Sequence, residues 1–293
     1  MTTTLGRKKG LTPQRVALQL FLITLAALWM VPLLGGLYSS FRPFIETQRD
    51  GYLSLPDTFT LDNYRNAWAQ GDILDKYWNT ALVLFPALFL TLFFSSMVAF
   101  AASRFTWKFN VSLLVLFTAG NLLPAQIIIQ PLFQMYKRIP LPDFMSNSGQ
   151  LLGSNWGLIL IHVAFQSGFC TFVLSNYMKL LPKELNEAAM VDGAGVWRQY
   201  WSVILPLTRP ALAALATLEF TWIYNDFFWA VVLEQQGDDR PITSSLANLG
   251  GEFFTDDNLI AAASVMVAFP TIAVFLALQR HFIAGLTLGS TKG

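Results

Sequence analysis

The chain has 293 residues, of which 54% are hydrophobic and only 13% charged, with a mean hydropathy of +0.47. A soluble domain carries about 25% charged residues, so this balance reads as an integral membrane protein. The net charge of +1 leaves no basic excess for nucleic acid, and the lone Cys170 excludes an intrachain disulfide.

Six apolar runs reach the roughly 20 residues that a spanning helix needs. They are Val16–Tyr38, Thr80–Ala102, Val111–Phe133, Trp156–Met178, Ala211–Leu233 and Leu259–Phe282. The expected fold is all-α, a membrane bundle of six helices over residues 16–283, with short tails over 1–15 and 284–293. The first run follows Arg7, Lys8, Lys9 and Arg15 and is longer than the roughly 7–15 apolar residues of a signal peptide, so it is expected to be retained. With the N-terminus inside, twelve of the 19 Lys and Arg residues fall on cytoplasmic segments and seven outside, which favours both termini in the cytoplasm.

Polar groups inside a span are costly and mark pathways or helix contacts. The third run contains Asn121 and Gln126, and the fourth contains His162 and Gln166. Gly149, Gly153 and Gly157, spaced four apart before the fourth run, suit turns and a helix start.

Leu180-Leu181-Pro182 closes the fourth run, because proline cannot continue a helix and restrains the residue before it. A short helix is expected over Lys183 to Asp192, with Leu185, Ala188 and Ala189 on one small apolar face and Glu184, Glu187 and Asp192 supplying charge. Gly193 and Gly195 suit a helix stop where φ turns positive. A second helix, Val196 to Leu205, leads to Pro206 and Pro210. A connector lying on lipid headgroups favours large apolar residues and basic flanks. Alanines and carboxylates instead suit a helix that inserts into a protein groove with basic residues on its rim.

The fifth run carries Glu219, Asn225 and Asp226 among Phe220, Trp222, Tyr224, Phe227, Phe228 and Trp229. Aromatic rings suit the CH faces of sugars and Asn or Asp their hydroxyl edges, although Trp and Tyr also form ordinary interfacial belts.

The stretch "EAAMVDGAGVWRQYWSVILPLTRP" resembles the EAA loop of ATP-binding-cassette importer permeases: Glu187-Ala188-Ala189, then Asp192-Gly193, then Leu205-Pro206, with Val203 where isoleucine is common. "TLDNYRNAW", "LLPAQIIIQPLFQMY", "TWIYNDFFWAVVL" and "LQRHFIAGLTLGSTKG" extend the resemblance to carbohydrate importer permeases that include the smaller six-span subunit of maltose-type systems. That resemblance implies a second, homologous permease chain, two cytoplasmic ATPases and an extracytoplasmic solute-binding protein, in the cell (plasma or inner) membrane. It assigns ATPase contact to Glu187, Ala188, Ala189, Asp192, Gly193, Leu205 and Pro206. It also places the C-terminal tail, with Gly285, Gly289 and Lys292, between the ATPase subunits. Candidate pathway residues are Trp222, Tyr224, Asn225, Asp226, Phe228, Asn121 and Gln126.

No G-x-x-x-x-G-K-[ST] stretch occurs, so ATP is expected on a partner subunit. No cofactor or metal is expected, no catalytic motif is present, and only two histidines occur. The expected function is a permease subunit of an ATP-driven sugar importer rather than an enzyme. The alternatives are the same machinery carrying glycerol phosphate or another polar solute, and an ion-coupled transporter using Glu219 or Asp226. The only arginine in the six runs is Arg280, third from the end of the last, which leaves none in their interior to favour a phosphate ester, and no internal repeat favours an ion-coupled fold.

Overall fold

A computed structural model describes residues 12–52, 54–120, 123–234, 240–246 and 256–287, with side chains as far as residue 279. Among the described residues the fold is helical, and an isolated bridge between Pro140 and Gln150 is the only β pairing. The chain forms two compact units: residues 1–67 with 250–265, and 68–249 with 266–293.

The first unit holds α1 (Pro13–Ser40), α2 (Phe44–Asp50) and most of α3 (Asp62–Gln70). Helix α1 opens with proline in its first turn, where a missing N–H costs nothing, and exposes its apolar side chains along most of its length, as a lipid-facing helix does. Beyond its end the chain packs around Arg42, which is fully buried. The Arg42 guanidinium donates to the carbonyls of Gly51 and Tyr52 at 3.0 and 3.2 Å and to Ser54 Oγ at 2.7 Å, and lies 5.3 Å from the Tyr38 ring centre. Two buried asparagines finish the knot. Asn63 donates to the carbonyls of Ser40 and Arg42, and Asn258 to those of Ser39 and Arg42 and to Thr47 Oγ1. Tyr52 donates to Asp257 beside it.

In the second unit, α4 (Ile73–Arg104) packs along α7 (Asn155–Leu180). Small side chains let their backbones approach: Ser95 Oγ donates to the Ser167 carbonyl at 3.2 Å, with Ala99, Cys170 and Leu174 wholly buried alongside. The third apolar run is not one helix. It is divided between α5 (Asn110–Gly120) and α6 (Ala125–Arg138), bent by 93°, with Pro124 as the residue that precedes α6. Tyr136 anchors α6 on α7, donating to the Gly157 carbonyl at 3.1 Å. A Cβ on Gly157 would stand 3.1 Å from that ring and 2.6 Å from the Leu151 carbonyl, so only glycine admits this approach. Gly149 and Gly153 take positive φ in the turns before α7, and Ser154 caps its first turn by accepting from the Gly157 N–H.

After α8 (Glu184–Val191) come α9 (Val196–Arg198), a π-helical segment Gln199–Ile204, α10 (Leu205–Leu207) and α11 (Arg209–Tyr224). The expected fifth span is also broken, stopping at Tyr224 and resuming as α12 (Phe228–Leu233). A short α13 (Ile242–Ser245) and the long α14 (Asp257–Thr287) complete the chain. Among the described residues four helices are each long and apolar enough to cross a membrane, and up to six spans result when the bent pairs, α5 with α6 and Val196–Leu207 with Arg209–Tyr224, count as one each.

Candidate functional site

The loop between α7 and α11 is built on a helix stop. Asp192 closes α8, and Gly193 follows at φ +77°. The Gly193 N–H donates to the Met190 carbonyl at 3.0 Å, and the Ala194 N–H to that of Ala189 at 2.8 Å. These two bonds are the paired reversals of a Schellman stop, which needs a left-handed residue at the position Gly193 holds. No atom lies within 4 Å of a Cβ built there, so the requirement is backbone geometry and not space.

Past this turn the chain folds back on α8. Asn186 donates to Gln199 Oε1 at 3.2 Å, and Gln199 donates to the Ala194 carbonyl at 2.8 Å, both side chains being buried. Ala189 points inward with Asn186, whereas Glu184, Glu187, Ala188, Val191 and Asp192 are exposed. The outward surface thus combines two carboxylates of α8 with a small residue, Ala188, that lets another backbone close in. Leu205 and Pro206 are half-buried at the far end, Leu205 packing with Ile204, Tyr200 and Met178. Pro206 lacks the N–H that a continuous ladder requires, the turns before it widen to π-type, and the helix bends by 72° near Thr208. Thr208, wholly buried, returns its hydroxyl to the Ile204 carbonyl at 2.7 Å.

Arg104 ties the end of α4 to this region. Its guanidinium donates to the carbonyls of Met178 and Leu181 at 2.8 and 3.2 Å, joining the Leu181 N–H that also meets the Met178 carbonyl at the end of α7. One cation thereby clamps two helices at the point where the loop begins.

The break in the fifth span gathers a second set of polar groups. The Asp226 carboxylate accepts from the backbone N–H groups of Trp229 and Ala230, both at 3.2 Å, and so starts α12. The same carboxylate lies 3.4 Å from His162 Nε2, and Thr243 donates to the Asp226 carbonyl at 2.6 Å. Ile242 N–H donates to Thr80 Oγ1 at 2.9 Å, which joins α13 to α4 behind the break. Tyr224 is buried and donates to the Val267 carbonyl at 2.8 Å. Phe228 is half-buried against Trp229. Trp222 is 45% exposed and stacked at a tilt on Phe169, and Asn225 is exposed, donating to Thr221 and Thr271. Gln126 is exposed on α6. Asn121, Gly289 and Lys292 lie outside the described residues, and Gly285 falls within α14. Glu219 is fully buried and accepts from the Cys170 thiol at 3.0 Å.

Residues 91–287 match the model of the family described as "binding-protein-dependent transport system inner membrane component". The chain belongs to that family. A probable ABC transporter permease protein of Pyrococcus horikoshii is 30% identical over 260 residues, covering 88% of this permease and 91% of the relative. The diacetylchitobiose uptake system permease protein of Streptomyces coelicolor is 31% identical over 273 residues, covering 92% and 87%. In three dimensions the permease resembles a chain of a bacterial ABC transporter that imports the acidic polysaccharide alginate, with a TM-score of 0.78 at 20% identity over 95% and 100% of the two chains. That likeness concerns the fold.

The sequence reading overlooked Asn186, Gln199 and Arg104. Asn186 carried the available signal, since it is a polar residue on the same helical face as Ala189 and required a buried partner.

Proposed function

We propose that this permease forms half of the translocation pathway for a sugar or oligosaccharide and that α8 is the element through which a separate ATPase drives it. The carrying observation is the exposed Glu187–Ala188 face on a short helix locked by Gly193 and by the Asn186–Gln199 bond. Such a helix fits a groove as a rigid peg and passes groove movement into α7 and α11 without melting. The carbohydrate cargo is supported by the relative named for diacetylchitobiose and by another, 31% identical, named for arabinooligosaccharides.

In this reading the complete machine contains a second, homologous permease chain, an ATPase dimer that binds the ATP, and a solute-binding protein on the outer face. Both termini and the α8 loop lie in the cytoplasm. Glu187, Ala188, Ala189, Asp192, Gly193, Leu205 and Pro206 form or support the ATPase contact, and the tail with Gly285, Gly289 and Lys292 reaches the ATPase interface. Trp222, Asn225 and Gln126 meet the sugar, while Tyr224, Asp226 and Phe228 shape the break beside them. The test is reconstitution of the whole complex in vesicles. Hydrolysis of ATP should rise only with a binding protein loaded with its saccharide, and uptake by this chain alone under a proton gradient would sink the proposal.

A further inference from the structure

Helix α6 carries three distinct faces. Ala125, Ile128, Leu132 and Tyr136 turn inward and pack in the core of their unit. Ile127, Pro131 and Met135, spaced by four, form an exposed apolar row, with Ile127 and Met135 at 66% and 50% exposure. Gln126, Gln130 and Gln134, also spaced by four, form an exposed row of amides directly beside it. The rotation that separates these rows is fixed by the Tyr136 anchor on Gly157.

At 1.5 Å per residue the amide row runs about 12 Å along the helix. Lys137 follows Gln126 by eleven residues, close to three full turns, and so continues the same line to the end of α6. A row of amides facing hydrocarbon loses its hydrogen bonds to water without replacement, whereas Ile127, Pro131 and Met135 tolerate that environment. The two exposed rows therefore have different neighbours, and the amide row has water. An ammonium group on the same line favours water over a tightly packed helix. Each primary amide both donates and accepts, as each sugar hydroxyl does.

We infer that Gln126, Gln130 and Gln134 line the aqueous pathway and hand the hydroxyls of the passing saccharide from one amide to the next. This rests on the carbohydrate-importer reading above. A neutral row suits passage, because several weak, equivalent bonds hold the cargo without trapping it at one point.

The test uses the whole complex in vesicles with single cysteines and a charged, membrane-impermeant thiol reagent. Native Cys170 has no exposed surface and serves as the blank. Gln126→Cys, Gln130→Cys and Gln134→Cys should label faster than Ile127→Cys and Met135→Cys. Gln130→Leu should lower uptake by about fivefold, the loss of one neutral hydrogen bond to cargo, with membrane level unchanged. Gln130→Asn should retain more uptake than Gln130→Leu. Equal labelling of the two rows would mean that the amides pack against a partner helix, and normal uptake by Gln130→Leu would mean that they are wet but do not handle cargo; either result overturns the inference. Labelling is independent of the cargo, so a wild-type complex indifferent to every sugar-loaded binding protein sinks the carbohydrate reading instead.

Discussion

The amide of Asn186 donates to Gln199 Oε1 at 3.2 Å across the turn that separates α8 from the π-helical segment. Thirteen positions apart in sequence, these two residues make α8 and the start of the next helix a single body. A peg that swings freely transmits no force. Gln199→Leu should leave Asn186 buried without its acceptor, at a cost of about 1–3 kcal/mol to the local fold. The expected result is normal membrane level with loss of substrate-stimulated ATP hydrolysis, measured in vesicles. Full stimulation would show that the bond is dispensable.

Gly193 offers a graded test. A side chain at φ +77° meets no neighbour, so the penalty is the backbone's own, roughly 1–2 kcal/mol for most residues and less for asparagine. Retained ATPase on co-purification should therefore fall in the order wild type, Gly193→Asn, Gly193→Ala, Gly193→Val. A flat series would mean that the turn relaxes without consequence.

The charge on Glu187 separates contact from folding. Its side chain is exposed, so Glu187→Lys should not alter the thermal unfolding of the permease, yet it reverses the sign offered to the groove. Loss at a desolvated contact costs about 2–5 kcal/mol. ATPase co-purification should collapse while insertion of the spans persists, and wild-type retention would remove Glu187 from the contact.

Arg104 should behave as a clamp. Replacing it by methionine keeps much of the apolar stem but abandons the Met178 and Leu181 carbonyls, hydrogen bonds to a charged group being worth roughly 1.5–3 kcal/mol each at most. Arg104→Met should lower the unfolding temperature in detergent, with Arg104→Lys intermediate because it cannot reach both carbonyls with one planar fork. An unchanged melting curve would contradict the clamp.

At the fifth span the two polar roles separate. Asp226→Ala removes the acceptor for two N–H groups at the start of α12, a loss of about 0.5–2 kcal/mol, and should reduce the amount of assembled complex. Asp226→Asn keeps an acceptor and should assemble better. Trp222→Ala, at an exposed ring, should assemble normally but take up sugar more slowly; if it transports at the wild-type rate, that ring belongs to an interfacial belt.

Much of this molecule follows from local chemistry. Hydrocarbon requires runs of about 20 apolar residues with satisfied backbones, so six runs were legible by length alone. The stop at Gly193 was legible too, since a left-handed φ after a short helix selects glycine whatever surrounds it. What lay beyond the sequence was every choice of polar partner at a distance. Nothing in the chain order predicts that Arg42 is buried among carbonyls, that Arg104 closes the end of α7, or that Asp226 starts a helix while Tyr224 binds the Val267 carbonyl. The break in the fifth run has the same origin, because the Asp226 carbonyl freed there is recovered by Thr243 of α13. The glutamines of α6 combine the two cases. Their spacing is a property of the sequence, but which way they face was decided only when Tyr136 found Gly157, where α7 has no side chain in its way.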